Sequence, residues 1–271
     1  MSGSICRAVA ADDAPLPDIR QLMIEVMQHQ REMDKIRENY TYHSTVLTEE
    51  LDSAGKVTKT STEEIDTLFA NSHRIERTTK RDGKPLEGHD LEKEDERIKK
   101  LVEKAQNVPP GQALEGPKQT VTITQLLDIM QVTHPRRVMY KDRPTIVFDF
   151  AGRKDAKTHG LAEDASKKLA GTLWVDEKDK EVARMEAHFT DNFHIGAGLL
   201  ANIQKGSSFY FDQGLVNNEI WLPTGGEFRV QARVLLLKGI REHVIEHDAN
   251  YEKFSVQDVP GKTVTVVTDK K

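Results

Sequence analysis

The sequence is poor in cysteine, in long apolar runs and in surplus basic charge. Its one cysteine, Cys6, excludes an internal disulfide framework and a cysteine-rich zinc module. No run of about 18 apolar residues occurs, so no membrane-spanning helix is predicted. The 39 basic residues are fewer than the 44 acidic ones, whereas a nucleic-acid-binding protein usually has a basic surplus. These absences predict a globular chain that neither spans a membrane nor binds nucleic acid.

The length of 271 residues is enough for one large domain or two small ones. Ala8-Val9-Ala10 has the small-x-small form of a signal-peptidase site, although the apolar run of an export signal is missing before it. We therefore expect residues 1–16 to be a disordered tail or the remnant of a signal peptide. The folded domain is predicted over 17–257, with polar insertions near 82–120 and 152–170, and residues 258–271 are predicted to be a C-terminal tail.

The first predicted element is a helix from Asp18, a suitable N-cap, to about Glu38. Apolar residues recur every three or four positions in this segment, as they do on one face of a helix. The stripe consists of Ile19, Leu22, Met23, Val26, Met27 and Met33. Such a stripe is typical of a helix that packs on a core. Because methionine side chains re-pack easily, the same face would also suit an apolar ligand.

Most of the remaining chain alternates apolar and polar residues, as β-strands do. Residues 40–80 predict three antiparallel strands, and further strands are predicted from residue 143 onwards. The charged segment 91–107 and the shorter segment 122–132 predict helices. The pattern contains no regular β-α-β alternation and so predicts an α+β fold. In this fold a single curved antiparallel sheet, a half-open β-barrel of about ten strands, is covered by the N-terminal helix and one or two further helices.

The sharpest catalytic motif is His243-Val244-Ile245-Glu246-His247, which has the H-x-x-E-H order of a class of zinc peptidases. Two histidines four positions apart converge on one metal ion on a helix, whereas on a strand they stand about 13 Å apart. Val244 and Ile245 favour a strand. A zinc hydrolase that uses His243, Glu246 and His247 is therefore kept only as an alternative.

Other motifs of enzymes and of nucleotide-binding proteins lack the structural context that they need. Residues 196–201, Gly-Ala-Gly-Leu-Leu-Ala, match a relaxed dinucleotide fingerprint, but the neighbouring segments predict antiparallel strands rather than a β-α-β unit. No G-x-S-x-G turn and no phosphate-binding loop occurs. The sequence therefore predicts a protein that is not an enzyme and that has no cofactor or metal.

Two segments carry a resemblance to a known family. Residues 171–186, Gly-Thr-Leu-Trp-Val-Asp-Glu-Lys-Asp-Lys-Glu-Val-Ala-Arg-Met-Glu, resemble a hairpin that recurs in the outer-membrane lipoprotein-sorting superfamily, the LolA/LolB-like periplasmic carriers. Residues 217–241, with Ile220-Trp221-Leu222-Pro223 before a long strand, look like the next hairpin of that pattern. The resemblance follows the order of elements over most of 17–257. It implies a half-open antiparallel barrel in which helices form a lid over an apolar cavity.

The same resemblance implies a function and a set of partners. It implies an exported, periplasmic and monomeric carrier that shields the acyl chains of lipids or lipoproteins and meets membrane-bound donor and acceptor proteins. Large apolar residues then become candidates for the cavity lining, although each would also fit an ordinary core. The candidates are Met23, Met27, Phe148, Phe150, Trp174, Met185, Phe189, Phe209, Phe211, Trp221 and Phe228. The alternative is a sensor or interaction module on the same fold, whose groove holds a partner peptide or a lipidated protein tail.

Overall fold

The computed structural model describes residues 14–109, 114, 128–195, 201–234, 238–256 and 266–268. Within these residues it has three helices and fourteen strands. The helices are α1 (Ile19–Arg37), α2 (Gly88–Ala105) and α3 (Leu161–Ser166). The strands are β1 (Tyr40–Leu51), β2 (Val57–Ala70), β3 (His73–Arg81), β4 (Lys84–Pro85), β5 (Met130–Tyr140), β6 (Arg143–Gly152), β7 (Leu169–Asp176), β8 (Val182–Phe189), β9 (Phe193–Ile195), β10 (Ala201–Ile203), β11 (Ser208–Val216), β12 (Ile220–Val234), β13 (Lys238–Val256) and β14 (Val266–Thr268).

The strands form one open antiparallel sheet. Eleven of them follow one path in the order β4-β3-β2-β1-β13-β12-β11-β8-β7-β6-β5, while β9, β10 and β14 pair at its side. Consecutive strands are neighbours in the two halves, and β13 joins the halves by pairing with both β1 and β12. The predicted fold class, a curved antiparallel sheet with an N-terminal helix, is confirmed, with fourteen strands where the sequence predicted about ten.

Helix α1 begins and packs as its sequence predicts. The Asp18 carboxylate accepts a hydrogen bond from the backbone N–H of Gln21, which caps the first turn. Leu22, Met23 and Val26 are all buried. They belong to a core cluster with apolar residues of β6, β7 and β8, whereas the C-terminal half of the helix packs against residues at the ends of β1 and β12. Helix α1 therefore lies across one face of the sheet, which we call the α1 face.

Two long-range contacts show how the sheet curves. Arg74 of β3 lies 3.1 Å from Glu246 of β13, although β2 and β1 separate these strands. This half of the sheet therefore curves toward the α1 face. Tyr140 of β5 donates a 2.8 Å hydrogen bond to Asp212 of β11, across β6, β7 and β8. The other half curves toward the opposite face, so the sheet is concave on different faces at its two ends.

Helix α2 packs on the opposite face, against β2 and β3. It lies within the polar insertion predicted near 82–120 and forms a small core of its own with Ile75, Leu101 and Ala105. Glu94 of α2 accepts a hydrogen bond from the backbone N–H of Thr78 and two from Arg97. Helix α2 is thus fixed to the edge of the sheet by a buried carboxylate as well as by apolar contacts.

The sequence predicted a helix over 122–132, and the C-terminal end of this prediction is wrong. Residues 122–127 lie outside the described part of the chain, but Met130 to Val132 belong to β5, where Met130 pairs with Gly152 and Val132 with Phe150. Cross-strand hydrogen bonds with β6 override the helical spacing of the apolar residues. The glycine motif at 196–200 also lies outside the described residues. Of the predicted C-terminal tail 258–271, the structure describes Val266–Thr268, which pair with β13.

Candidate functional site: the α1 face and the groove behind it

The register of the strands sorts the predicted cavity residues by face. Directly paired residues of antiparallel strands point to the same side of the sheet. One row of paired residues crosses the α1 face from β6 to β13, and a second row runs beside it. The first row is Phe148, Leu173, Met185, Phe211, Gly226 and Glu246, and the second is Phe150, Gly171, Ala187, Phe209, Phe228 and Val244. Both rows are therefore apolar from β6 to β12, and the first row ends in the Glu246 carboxylate at β13.

The eleven predicted lining residues fall into two groups by burial. Met23, Phe148, Phe150 and Trp221 are buried, and the first three belong to the core under α1. The other seven are partly buried: Met27, Trp174, Met185, Phe189, Phe209, Phe211 and Phe228. Phe189 stacks on Phe193, and Phe209 stacks on Phe228 with ring centroids 6.1 Å apart. The partly buried residues are the ones that keep surface free for a ligand.

Five of the partly buried residues lie together on the α1 face, and we call them the aromatic strip. The strip consists of Met185, Phe189, Phe209, Phe211 and Phe228. Met185, Phe209 and Phe211 pack against the edge of the α1 core. The strip is therefore continuous with the core on one side and partly open on the other.

Trp174 and Trp221 lie outside the strip. Trp174 points to the opposite face, beside Tyr140 and under the guanidinium of Arg184. Trp221 lies near one end of β12, where its indole N–H donates a 2.9 Å hydrogen bond to Asp179. Both side chains contact charged groups, so neither is part of a purely apolar surface.

A polar cluster follows the strip along the α1 face. It consists of Tyr42, Ser44, Thr67, Arg74, Glu246 and Asp248, which come from β1, β2, β3 and β13. Ser44 Oγ donates to Asp248 Oδ1 at 2.5 Å, and Arg74 lies 3.1 Å from Glu246. The sequence analysis did not find this cluster, because residues about two hundred positions apart meet only once β1 and β13 pair.

The ionisable groups of the cluster respond to burial. Burial raises the pKa of Tyr42 to about 12, and the positive charge of Arg74 opposes this shift. Burial, and then the negative charge of Asp248, raise the pKa of Glu246. The two carboxyl groups stand on the same side of β13, two positions apart, so the charge of Asp248 disfavours the charged form of Glu246.

The opposite face carries an open groove of about 650 Å³. The groove lies in the half of the sheet that curves toward this face. Its lining comes from β5, β6, β7, β8, β11 and β12: Thr133, His134, Asp149, Phe150, Ala151, Ala170, Gly171, Thr172, Glu186, Ala187, His188, Ser208, Phe209, Tyr210, Glu227 and Arg229. Of the predicted lining residues, only Phe150 and Phe209 border it. By register, the polar side chains of this set stand on the face away from α1.

Charged groups in the groove are paired with one another. Asp149 lies 3.1 Å from His134 and accepts a hydrogen bond from Thr172. Burial alone would raise the pKa of Asp149, but these bonds and the charge of Arg136 outweigh it and lower the pKa. Glu227 behaves in the same way, because Arg229 and His243 lower its pKa against the effect of burial. The groove is therefore an open surface on which charged groups pair with one another.

The H-x-x-E-H motif lies on strand β13 rather than on a helix. His243 points to the opposite face, where its two ring nitrogens lie 2.9 Å from Glu49 and 2.8 Å from Glu227. Glu246 points to the α1 face and contacts Arg74. The side chains of the motif do not converge, and no group of three His, Cys, Asp or Glu residues in the described ranges is placed to hold a metal ion.

No family model and no curated protein matches the sequence. Among solved structures, this chain is similar to a domain from Vibrio parahaemolyticus described as an outer membrane lipoprotein-sorting protein. The two sequences are 9% identical, the match covers 84% of this chain and 92% of that chain, and the TM-score is 0.35. This chain is also similar to a DUF1329 family protein from Desulfovibrio piger. The sequences are 7% identical, the match covers 87% of this chain and 93% of that chain, and the TM-score is 0.36.

A third similar structure is the complex of MucA and MucB from Pseudomonas aeruginosa. The sequences are 10% identical, the match covers 83% of this chain and 94% of that chain, and the TM-score is 0.25. A lipoprotein-sorting domain, the family that residues 171–186 resemble, is thus among the matched structures. None of the helices in the described ranges has the length and hydrophobicity needed to cross a membrane.

Proposed function

We propose that this chain is a carrier that holds an acyl chain of a lipid or lipoprotein against the aromatic strip. The observation that supports this is the strip itself, in which five large apolar side chains stay partly exposed beside a fully buried core. In the described part of the chain, α1 packs over the neighbouring residues of the same rows and leaves the strip partly uncovered. An occupant is therefore expected to bind next to α1.

The chemistry of the strip suits a flexible apolar ligand. Each methylene group buried there contributes about 0.8 kcal/mol, so a long acyl chain is held mainly by contact area. Met185 lies in the middle of the first row, and its thioether chain adapts to ligands of different shape. A carrier has to release its cargo, and a surface that is open along one side permits this without unfolding the sheet.

The wider role follows from the same proposal. The chain would act in the periplasm, as a monomer and without catalysis, and would take an acylated cargo from one membrane-bound partner to another. This role needs no cofactor. It does need a surface that partners can reach while the acyl chain remains covered by α1 and the strip.

The test is a binding titration with an environment-sensitive fluorescent fatty acid. We expect Phe211→Ser to weaken binding about tenfold or more, because a large buried contact is lost. The matched control is Tyr210→Ser, which removes an aromatic ring from the next residue of β11 on the opposite face. We expect that control to change the dissociation constant less than about twofold. Circular dichroism of both variants checks that the sheet is intact.

Two results would overturn the carrier proposal. One is a wild-type protein that binds no fatty acid, and the other is a Tyr210→Ser variant that loses binding while Phe211→Ser keeps it. If Phe211→Ser does not fold, Phe228→Leu provides the second variant, since it retains an apolar side chain and shortens the strip.

The groove on the opposite face favours a second candidate, an interaction module that binds a partner peptide. Its volume of about 650 Å³ and its lining of paired carboxylates, histidines and Arg229 suit a polar occupant better than an acyl chain. Lipid extraction followed by mass spectrometry of the purified protein separates the candidates. Co-purified lipid favours the carrier, whereas lipid-free protein that binds peptides favours the interaction module.

A further inference from the structure

Polar side chains of the groove on the opposite face stand in two rows that cross β8, β11 and β12. One row, which we call the carboxylate row, consists of the directly paired residues Glu186, Tyr210 and Glu227. The other, which we call the donor row, consists of the directly paired residues His188, Ser208 and Arg229. Neighbours within a row stand about 5 Å apart, and the rows lie about 7 Å apart along the strands. The space between the rows therefore has the width of a small ring-shaped ligand.

Each glutamate of the carboxylate row keeps one oxygen for a ligand. Oε1 of Glu186 accepts a hydrogen bond from Arg184, and Oε1 of Glu227 is shared by Arg229 and His243. The Oε2 atom of each glutamate has no hydrogen-bond partner among the residues that the structure describes. The ion pairs fix the carboxylates and compensate their charge. The two Oε2 atoms are therefore positioned acceptors that need no cation.

The donor row offers hydrogen-bond donors on the other side of this space. His188 is exposed and Ser208 is partly buried, and neither side chain forms a hydrogen bond within the described ranges. Arg229 directs its Nε and Nη2 groups at Glu227, and its side chain is 65% exposed. Its Nη1 group is therefore left for a ligand. Because a hydroxyl group and an imidazole can also accept hydrogen bonds, this row suits ligand hydroxyl groups in either orientation.

Small residues and an oriented histidine continue the groove toward β5. Ala170 is paired with His188 and with Ala151, so the donor row is followed by two side chains without polar groups. His134 lies beyond them at a bulge of β5, with a φ of 51° that is uncommon outside glycine. Its Nδ1 lies 3.1 Å from Asp149, which leaves Nε2 for a ligand. Strained residues of this kind are concentrated at ligand sites.

The balance of charge in the groove favours a neutral ligand. Each carboxylate that lines it is paired with an arginine: Asp149 with Arg136, Glu186 with Arg184 and Glu227 with Arg229. A charged ligand gains little from side chains whose charge is already compensated. Neutral hydroxyl groups use the free donors and acceptors and leave the ion pairs intact. The groove is open, and its volume of about 650 Å³ is in the range of small-molecule sites.

We propose that the groove binds a neutral saccharide, whose hydroxyl groups donate to the carboxylate row and accept from the donor row. A sugar ring carries hydroxyl groups on neighbouring carbons, and each of them can donate and accept. Tyr210, held by Arg184 at 4.2 Å from its ring centre, adds a hydroxyl group and an apolar ring to the lining. The site lies on the face away from the aromatic strip, so it goes beyond the proposed carrier function and does not depend on it.

The experiment titrates trisaccharides into the full chain by calorimetry. The neutral probes are cellotriose, maltotriose and chitotriose, and the charged ones are the trimers of glucosamine and of galacturonate. We expect at least one neutral trisaccharide to bind about tenfold more tightly than either charged trimer, because it leaves the ion pairs of the groove intact. His188→Ala and Ser208→Ala should each weaken its binding about three- to tenfold, since each removes one hydrogen bond.

The matched control is His247→Ala, which removes an exposed imidazole from the same face outside the groove and should leave saccharide binding unchanged. Binding of none of the neutral trisaccharides, or tighter binding of a charged trimer, would overturn the proposal. So would an equal loss of binding in His247→Ala and His188→Ala. Polar peptides that bind through His188 where no saccharide binds would favour the interaction module instead. Fatty-acid binding of the same variants should equal that of the wild-type protein, so the carrier function is judged separately.

Discussion

The two faces of the sheet differ in polarity, although their side chains come from successive residues of the same strands. On the α1 face a row of paired residues runs through Phe150, Gly171, Ala187, Phe209 and Phe228. Behind it, on the opposite face, the next row runs through Asp149, Thr172, Glu186, Tyr210 and Glu227. Because successive side chains of a strand alternate, a shift of pairing by one residue would exchange these surfaces. Register therefore decides which face can hold an apolar ligand and which carries the polar groove.

The largest expected difference between the faces is in stability. Phe148 is 2% exposed and lies in the core under α1. Phe148→Ala should lower the free energy of unfolding by about 3–5 kcal/mol, because it removes apolar contacts and leaves a cavity. Thr172→Ala on the opposite face removes one hydrogen bond to Asp149 and should cost about 1 kcal/mol. Urea unfolding measures both values, and equal costs would contradict the assignment of the core to the α1 face.

A smaller effect is expected from the charged network at the end of the groove. Arg184 donates hydrogen bonds to Glu186 and Asp212, both at 2.8 Å, and its guanidinium lies 4.2 Å from the centre of the Tyr210 ring. Arg184→Ala should lower the free energy of unfolding by about 2 kcal/mol, since it removes charge-assisted bonds and the ring contact. Arg184→Lys keeps the positive charge but not the planar guanidinium group, so it should restore only part of the free energy of unfolding that Arg184→Ala loses. Full recovery in urea unfolding would show that charge alone matters.

The smallest effect distinguishes two carboxyl groups, Glu246 on the α1 face and Glu227 on the opposite face. The folded protein raises the pKa of Glu246, so its contribution to stability is full at low pH and is lost as the pH rises through the raised pKa. The pKa of Glu227 is lowered, so its contribution is present near neutral pH and is lost as the pH falls through the lowered pKa. Glu227→Gln should therefore be more harmful at neutral than at acidic pH, and Glu246→Gln the reverse.

Thermal unfolding of the two glutamine variants from about pH 3 to pH 7 tests this opposite dependence, a range that extends well below the ordinary pKa of glutamate, where the contribution of Glu227 is lost. Each variant is compared with the wild-type protein at the same pH, which cancels the titration of all other groups. If the two variants show the same pH dependence, the electrostatic difference between the faces is wrong.

The sequence predicted the helices and strands better than it predicted which of them contact each other. The spacing of Leu22, Met23 and Val26 defines α1, and the alternation of β6 and β8 defines their faces, because both periods are local properties of the chain. In β7, however, Leu173, Trp174 and Val175 are all apolar, so their pattern does not assign a face. Pairing with Met185 places Leu173 on the α1 face, and Trp174 on the other face beside Arg184.

The polar cluster and the groove could not be predicted, for a related reason. Ser44 and Asp248 form a hydrogen bond although they are 204 positions apart in the sequence. Tyr140 forms a hydrogen bond with Asp212 because the sheet curves across the three strands that lie between β5 and β11. Strand order and curvature are properties of the whole sheet. The H-x-x-E-H motif shows the opposite case, since Val244 and Ile245 favoured a strand and the structure places the motif on β13.

The most direct test of the account is photo-crosslinking with a fatty acid that carries a diazirine in the middle of its chain. After irradiation, peptide mass spectrometry identifies the modified residues of the wild-type protein. The account predicts adducts on Met185, Phe211 and Phe228, on the α1 face, and a loss of labelling when unlabelled fatty acid is added in excess. Adducts that fall instead on Thr172, His188 or Tyr210 would place the acyl chain in the groove and contradict it.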